Sequence, residues 1–167
     1  MIKYKDVEKE IDVNKKEIIK KLVDFAFTDV LLFWSGNNEI KDMQVEKWQP
    51  ILCWLGERFD LRLEKSGTNE TPKKNKDSRV CFETILEKMS LNNLTAFYLA
   101  AIRMKSPLLA LAMIEGKIGA EDAYELAFLE EMVQKKSLSK EMLNKHKQIK
   151  KELIEISEYI KNNEKVL

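Results

Sequence analysis

The 167-residue chain holds two cysteines, three prolines, five glycines and one histidine, and each shortage closes off a class of protein. Two cysteines cannot frame a disulfide-stapled secreted domain, so a reduced, intracellular chain is expected. So few glycines and prolines suit neither a turn-rich β-sandwich nor a glycine loop that cradles phosphate. A zinc site takes three or four His, Cys or carboxylate ligands. With His146 alone, and neither Cys-x-x-Cys nor His-x-x-x-His, no metal site is expected. Cys53 and Cys81 are flanked by apolar residues, the setting of buried, inert thiols rather than nucleophiles. Long apolar runs are missing too. The most apolar stretches, residues 25–34 and 107–114, fall far short of the ~20 residues of a spanning helix, so no membrane insertion is expected. The first ten residues mix acids with lysines, unlike a signal peptide or an acid-poor mitochondrial presequence.

What is present points to a folded, helix-rich chain, with 44% apolar and 34% charged residues. The net charge of +1 conceals a division: residues 23–134 carry thirteen basic and eighteen acidic groups, whereas residues 135–167 carry nine lysines and five glutamates. Residues 1–13 read as a loosely held polar arm, 14–161 as a single helical domain and 162–167 as a tail. Asn14 and Glu17 have capping-box spacing and open a helix predicted to reach about Trp34. A second run, 39–59, is interrupted at Gln49-Pro50, as two short helices or one kinked helix. Leu61-Arg-Leu-Glu-Lys65 alternates as a short strand would, and residues 66–78, devoid of apolar side chains, read as a mobile loop. Helices are predicted over 80–89, 92–104, 107–115, 120–136 and 140–161, with Ser106-Pro107 as a start and Gly116 as a stop. Residues 108–114 are apolar on every side and belong at the centre of a bundle. The predicted fold class is mainly α, a multi-helix orthogonal bundle with at most one short β segment near 61–65.

Two carboxylates fall among apolar neighbours. On the predicted helical wheel Asp29 lies between Ile18, Leu22 and Phe25, and Glu130 lies near Ala123, Leu126 and Ala127. A carboxylate buried without partners costs several kcal/mol, so each must be paired, capping a helix or facing a partner protein. Trp34, Trp48 and Trp54 read either as a core cluster or, with a ring partly exposed, as an interface hot spot.

Several blocks together carry a resemblance. Thr28-Asp29-Val-Leu-Leu-Phe33, then Gln44-x-x-x-Trp48-x-Pro50-x-Leu52-x-Trp54, then Ser106-x-Leu-Leu-Ala-Leu-Ala112 with Gly116-x-Ile118, and finally Glu121-x-Ala123 with Leu129-Glu130-Glu131-x-x-Gln134 stand in order over residues 18–134. This series resembles the chaperones that escort the alpha subunit of F1-ATPase during ATP synthase assembly, in mitochondria and alphaproteobacterial relatives. Members of that family carry a further N-terminal domain with β-structure, so the chain resembles their helical domain alone. The resemblance implies a non-catalytic, cofactor-free and monomeric binding protein whose client is the unassembled alpha subunit. It places the chain in the bacterial cytoplasm, or in the mitochondrial matrix if eukaryotic. It implies that Glu130 or Glu131 is functionally important, and the partner-binding candidates are Glu130, Glu131, Gln134, Asp29, Trp48 and Trp54. An alternative is a helical adaptor that binds nucleic acid or another protein through its lysine-rich C-terminal helix. A third reading, Asp29 and Glu130 as an acid–base pair, requires both in one open cleft.

Overall fold

The all-apolar segment forms helix α7, Pro107–Ile114, and the side chains of residues 107–113 are all buried. This is a computed structural model, and it describes residues 1–65, 75–133 and 138–164. Around α7 pack α6 (Leu91–Met104), α8 (Ala120–Ala127), α4 (Gln49–Phe59) and α2 (Lys15–Ala26). A second layer follows. Helix α10 (Lys140–Glu164) lies on α6 and α8, α1 (Tyr4–Val13) on α6 and α2, and α5 (Lys76–Glu87) on α2. Helices α3 (Asn38–Lys47) and α9 (Leu129–Val133) meet at one end. The fold is mainly α. Among the described residues the only β geometry is a single bridge position at Phe33.

Several local expectations hold for local reasons. Ser106 caps α7 by accepting from the Leu109 N–H, with Pro107 in its first turn where a missing N–H costs nothing. Pro50 likewise opens α4, so the 39–59 run is two helices. Gly116 adopts φ +76, and its N–H closes the end of α7 on the Met113 carbonyl.

Others are corrected. The supposed N-terminal arm is helix α1. Tyr4, Val7, Glu8 and Ile11 recur at helical spacing, Ile11 is fully buried, and Tyr4 stacks on Tyr159 of α10 at 4.2 Å. Asn14 makes no capping box, because its Nδ2 donates back to the Glu10 carbonyl. The first long helix stops at Ala26 rather than near Trp34. There the Thr28 hydroxyl bonds back to the Phe25 carbonyl, and Asp29 turns extended ahead of a single 3-10 turn, Val30–Leu32. Leu61–Lys65 is not a strand: the Leu61 N–H donates to the Gly56 carbonyl and the Arg62 N–H to the Ser78 hydroxyl, leaving the segment irregular. Of the expected 66–78 loop, residues 66–74 lie outside the described residues. Asn75 caps α5 through the Ser78 N–H, which makes 76–78 helical. The expected 120–136 helix breaks at Phe128 into α8 and α9, and α10 extends to Glu164, into the presumed tail. Cys53 is exposed on α4, not buried, whereas half-buried Cys81 donates to the Phe59 carbonyl.

Candidate functional site

Asp29 sits in extended backbone at the head of the 3-10 turn. Because α2 ends before it, its carboxylate is not on a helix face but at the start of the 3-10 turn, pointing at the N-terminus of α7. Oδ1 accepts from the Leu31 N–H at 2.9 Å, Oδ2 from the Leu108 N–H at 2.8 Å, and the Ser106 hydroxyl lies 2.8 Å from both oxygens. An N-terminal helix end offers unpaired N–H groups and partial positive charge, so a carboxylate there is satisfied. Asp29 has no exposed surface. Burial pushes its acid up to about 7, against the downward pull of the two backbone N–H groups and Ser106. It ties α2 to α7 and has no surface with which to touch a partner. Sealed in this way, it cannot join Glu130 in an open acid–base cleft.

A second knot joins α3 to α8 and α9. Buried Gln44 accepts from the Ser35 N–H through Oε1 at 2.9 Å and donates through Nε2 to Glu130 Oε1 at 3.1 Å. One turn along, the indole N–H of Trp48 donates to the Leu126 carbonyl at 2.8 Å. Phe128 interrupts the helix just after Leu126, so this tryptophan satisfies a carbonyl near the end of α8. Trp48 is 1% exposed. Trp34, also buried, donates its indole N–H to the Leu31 carbonyl. Trp54 is half-buried, edge-on to Phe59 with Lys117 5.7 Å from its ring. The core reading therefore applies to Trp34 and Trp48, and Trp54 alone of the three reaches the surface. Gln134 lies outside the described residues.

The two adjacent glutamates diverge. Glu130 faces α3, half-buried and held by Gln44, while Glu131 faces α10. On that side the Tyr124 hydroxyl and His146 Nδ1 are 3.2 Å apart, and the His146 ring stands edge-on to Phe128 at 4.8 Å. Burial, joined by the nearby Glu131 carboxylate, raises the Tyr124 phenol above its ordinary value.

Beside the Gln44–Glu130 contact a groove of about 430 Å³ opens between α3, α8 and α9. Met43, Ile118, Leu126, Leu129 and Met132 form its apolar lining, and Asp122, Glu125 and Lys47 its charged rim. Sequence reasoning missed this groove, although the apolar residues of the 118–132 stretch pointed to its lining. Among the described residues no cluster of three or more His, Cys, Asp or Glu side chains could hold a metal ion, and no helix is long and apolar enough to cross a membrane.

No family model matches the sequence. Solved structures do resemble the fold. Over 92% of this chain and 67% of the other, it superposes on crystalline Atp12 from Paracoccus denitrificans with a TM-score of 0.86 at 18% identity. An aspartate-to-lysine variant of P. denitrificans Atp12 gives a TM-score of 0.87 at 17% identity over the same shares. A protein from Agrobacterium tumefaciens described as a candidate chaperone gives 0.79 at 20% identity, over 90% of this chain and 57% of that one. The chain thus has the fold of these proteins and spans about two thirds of the Atp12 chain.

Proposed function

We propose that this protein is an assembly chaperone for the F1 sector of ATP synthase and holds the unassembled alpha subunit without turnover, metal or cofactor. The observation that carries this reading is the Atp12 fold over 92% of the chain. It is supported by where the four resemblance blocks lie. Residues 28–33 and 106–112 meet at the Asp29 knot, and residues 44–54 and 121–131 meet at the Gln44–Glu130 and Trp48–Leu126 contacts.

In this proposal the client docks in the groove between α3, α8 and α9. The groove removes client apolar surface from water, the role of a holding protein toward an aggregation-prone subunit. Asp122 and Glu125 on the rim, with Glu130 nearby, pair with client arginines or lysines and supply orientation and encounter rate more than raw affinity. Trp48 supports this surface from beneath by holding the Leu126 carbonyl. The protein acts as a monomer, in the cytoplasm of a bacterium or the matrix of a mitochondrion.

The test is capture of co-expressed alpha subunit by the tagged chain. Met132→Lys, the double variant Asp122→Lys/Glu125→Lys, Glu130→Lys and Glu131→Lys are compared with the parent after each is checked for a native circular dichroism spectrum and melt. Capture falling at least tenfold with the groove variants is the expected result. Undiminished capture by every folded variant sinks the proposal, and loss confined to Glu131→Lys moves the docking surface to the α10 side.

A further inference from the structure

The lysine-rich C-terminal helix has no part in the groove just described, yet it builds a surface of its own. Two adjoining grooves, of about 390 and 240 Å³, flank α10 and share Glu131 and His146. The larger is lined by Ile102, Phe128, Met142 and Ile149, and Ile102 and Met142 are among the most exposed large apolar side chains of the chain, at 49% and 45%. Isolated exposed apolar residues need no explanation, but two that line one groove mark a surface suited to contact.

The charges around it are one-sided. Lys105 and Lys145 line the larger groove, and Lys147 and Lys150 the smaller. Among the described residues none of the four makes an ion pair, whereas Arg103 alongside is already held by Glu152 at 2.6 Å. Glu131 is the one acid that lines both grooves. Phosphate ligands favour cations without an apolar floor or a central carboxylate. An apolar floor ringed by lysines that make no ion pair, Lys150 alone lying over the Tyr124 ring at 5.8 Å, instead complements a helix with an apolar stripe and acidic flanks. We infer that the face formed by α10, the C-terminal end of α6 and the α8–α9 junction is a second docking surface, whose occupant is an acidic amphipathic helix of a partner protein. The stripe of that helix covers Ile102 and Met142, its acids reach Lys105, Lys145 and Lys147, and Glu131 fixes the register by rejecting an acid at one position. This surface is opposite in sign to the acid-rimmed client groove, so one chain can engage two partner segments of opposite charge.

The probe is a fluorescein-labelled 14-residue peptide with leucines at three- and four-residue spacing and glutamates between, titrated into the full chain by anisotropy at low salt. The expected result is saturable binding that weakens at least tenfold when the peptide's glutamates become lysines. Binding should also weaken at least tenfold with Lys145→Glu/Lys147→Glu and severalfold with Ile102→Ser. Lys16→Glu/Lys20→Glu, an equal charge change on α2, should leave it within twofold. The inference is overturned by equal affinity for both peptides, by equal sensitivity to the α2 and α10 variants, or by tighter binding of a 20-nucleotide single-stranded DNA that Ile102→Ser does not weaken. Because alpha-subunit capture is not read here, failure of this surface leaves the client proposal intact, and the reverse holds as well.

Discussion

Replacing Asp29 with alanine should be among the most damaging single changes available in this chain. The carboxylate accepts from the Leu31 and Leu108 N–H groups and contacts the Ser106 hydroxyl, all within 2.9 Å and fully buried. A buried donor left without an acceptor costs about 1–3 kcal/mol. Alanine strands two backbone donors and removes the tie between α2 and α7, so a loss of roughly 3–6 kcal/mol is expected, against a typical domain stability of about 5–15 kcal/mol. Asparagine keeps one acceptor but sets an amide N–H against a backbone N–H, so it should recover only part. Urea unfolding followed by far-ultraviolet circular dichroism at pH 8 measures both. A loss below about 1 kcal/mol for Asp29→Ala would refute the reasoning that these bonds hold the two helices together.

The pH dependence tests the same site independently. Burial places the folded acid at about 7, above its ordinary 3.8, so between those values the folded chain keeps a proton that the unfolded chain has lost. The folded state then binds more protons, and stability from this group falls as pH rises from about 4 to about 7, then levels off. Three units correspond to a decline on the order of 4 kcal/mol. The neutral acid is sterically at home here. It can donate to the Ser106 oxygen while that hydroxyl donates to its other oxygen, leaving both backbone N–H groups satisfied. Asp29→Asn should lack the decline. Parallel profiles for the two proteins between pH 4 and 7 would show that the N–H groups outweigh burial and keep Asp29 ionised throughout.

Three further outcomes are open to measurement. Trp48→Phe keeps the packing but deprives the Leu126 carbonyl of its donor, so urea unfolding should show a loss of about 1–2 kcal/mol. Tyr159→Phe breaks a 2.6 Å bond to the buried Glu8 carboxylate and a 3.2 Å bond to Asn92, and amide hydrogen exchange should rise in α1 more than in α7, because α1 leans on this contact. Exposed Cys53 should react with a thiol-specific reagent in the native state several times faster than Cys81, which is half-buried; equal native rates would contradict the exposures described.

Much of the architecture was legible because its causes are local. The apolar circumference of residues 108–114, the Ser106-Pro107 start, the stop at Gly116 and the break at Pro50 are backbone and burial preferences carried by neighbouring residues, and they form as read. The helix α1 stripe was equally local, but its polar composition hid it, and what the stripe packs on is distant in sequence: α6 and α2, with Tyr4 stacked on Tyr159, 155 positions beyond it. The break before Asp29 was misread because a helical wheel assumes that the helix continues, and one threonine back-bond and one cap end it.

By itself, then, the sequence determined the helical class and the buried centre. Tertiary structure decided what the polar residues do. Gln44 and Glu130 are 86 residues apart, and Asp29 and Leu108 are 79 apart. No local preference predicts which distant group will meet a buried carboxylate. That choice is made when packing removes water and each polar atom must find a partner in whatever the fold has brought beside it.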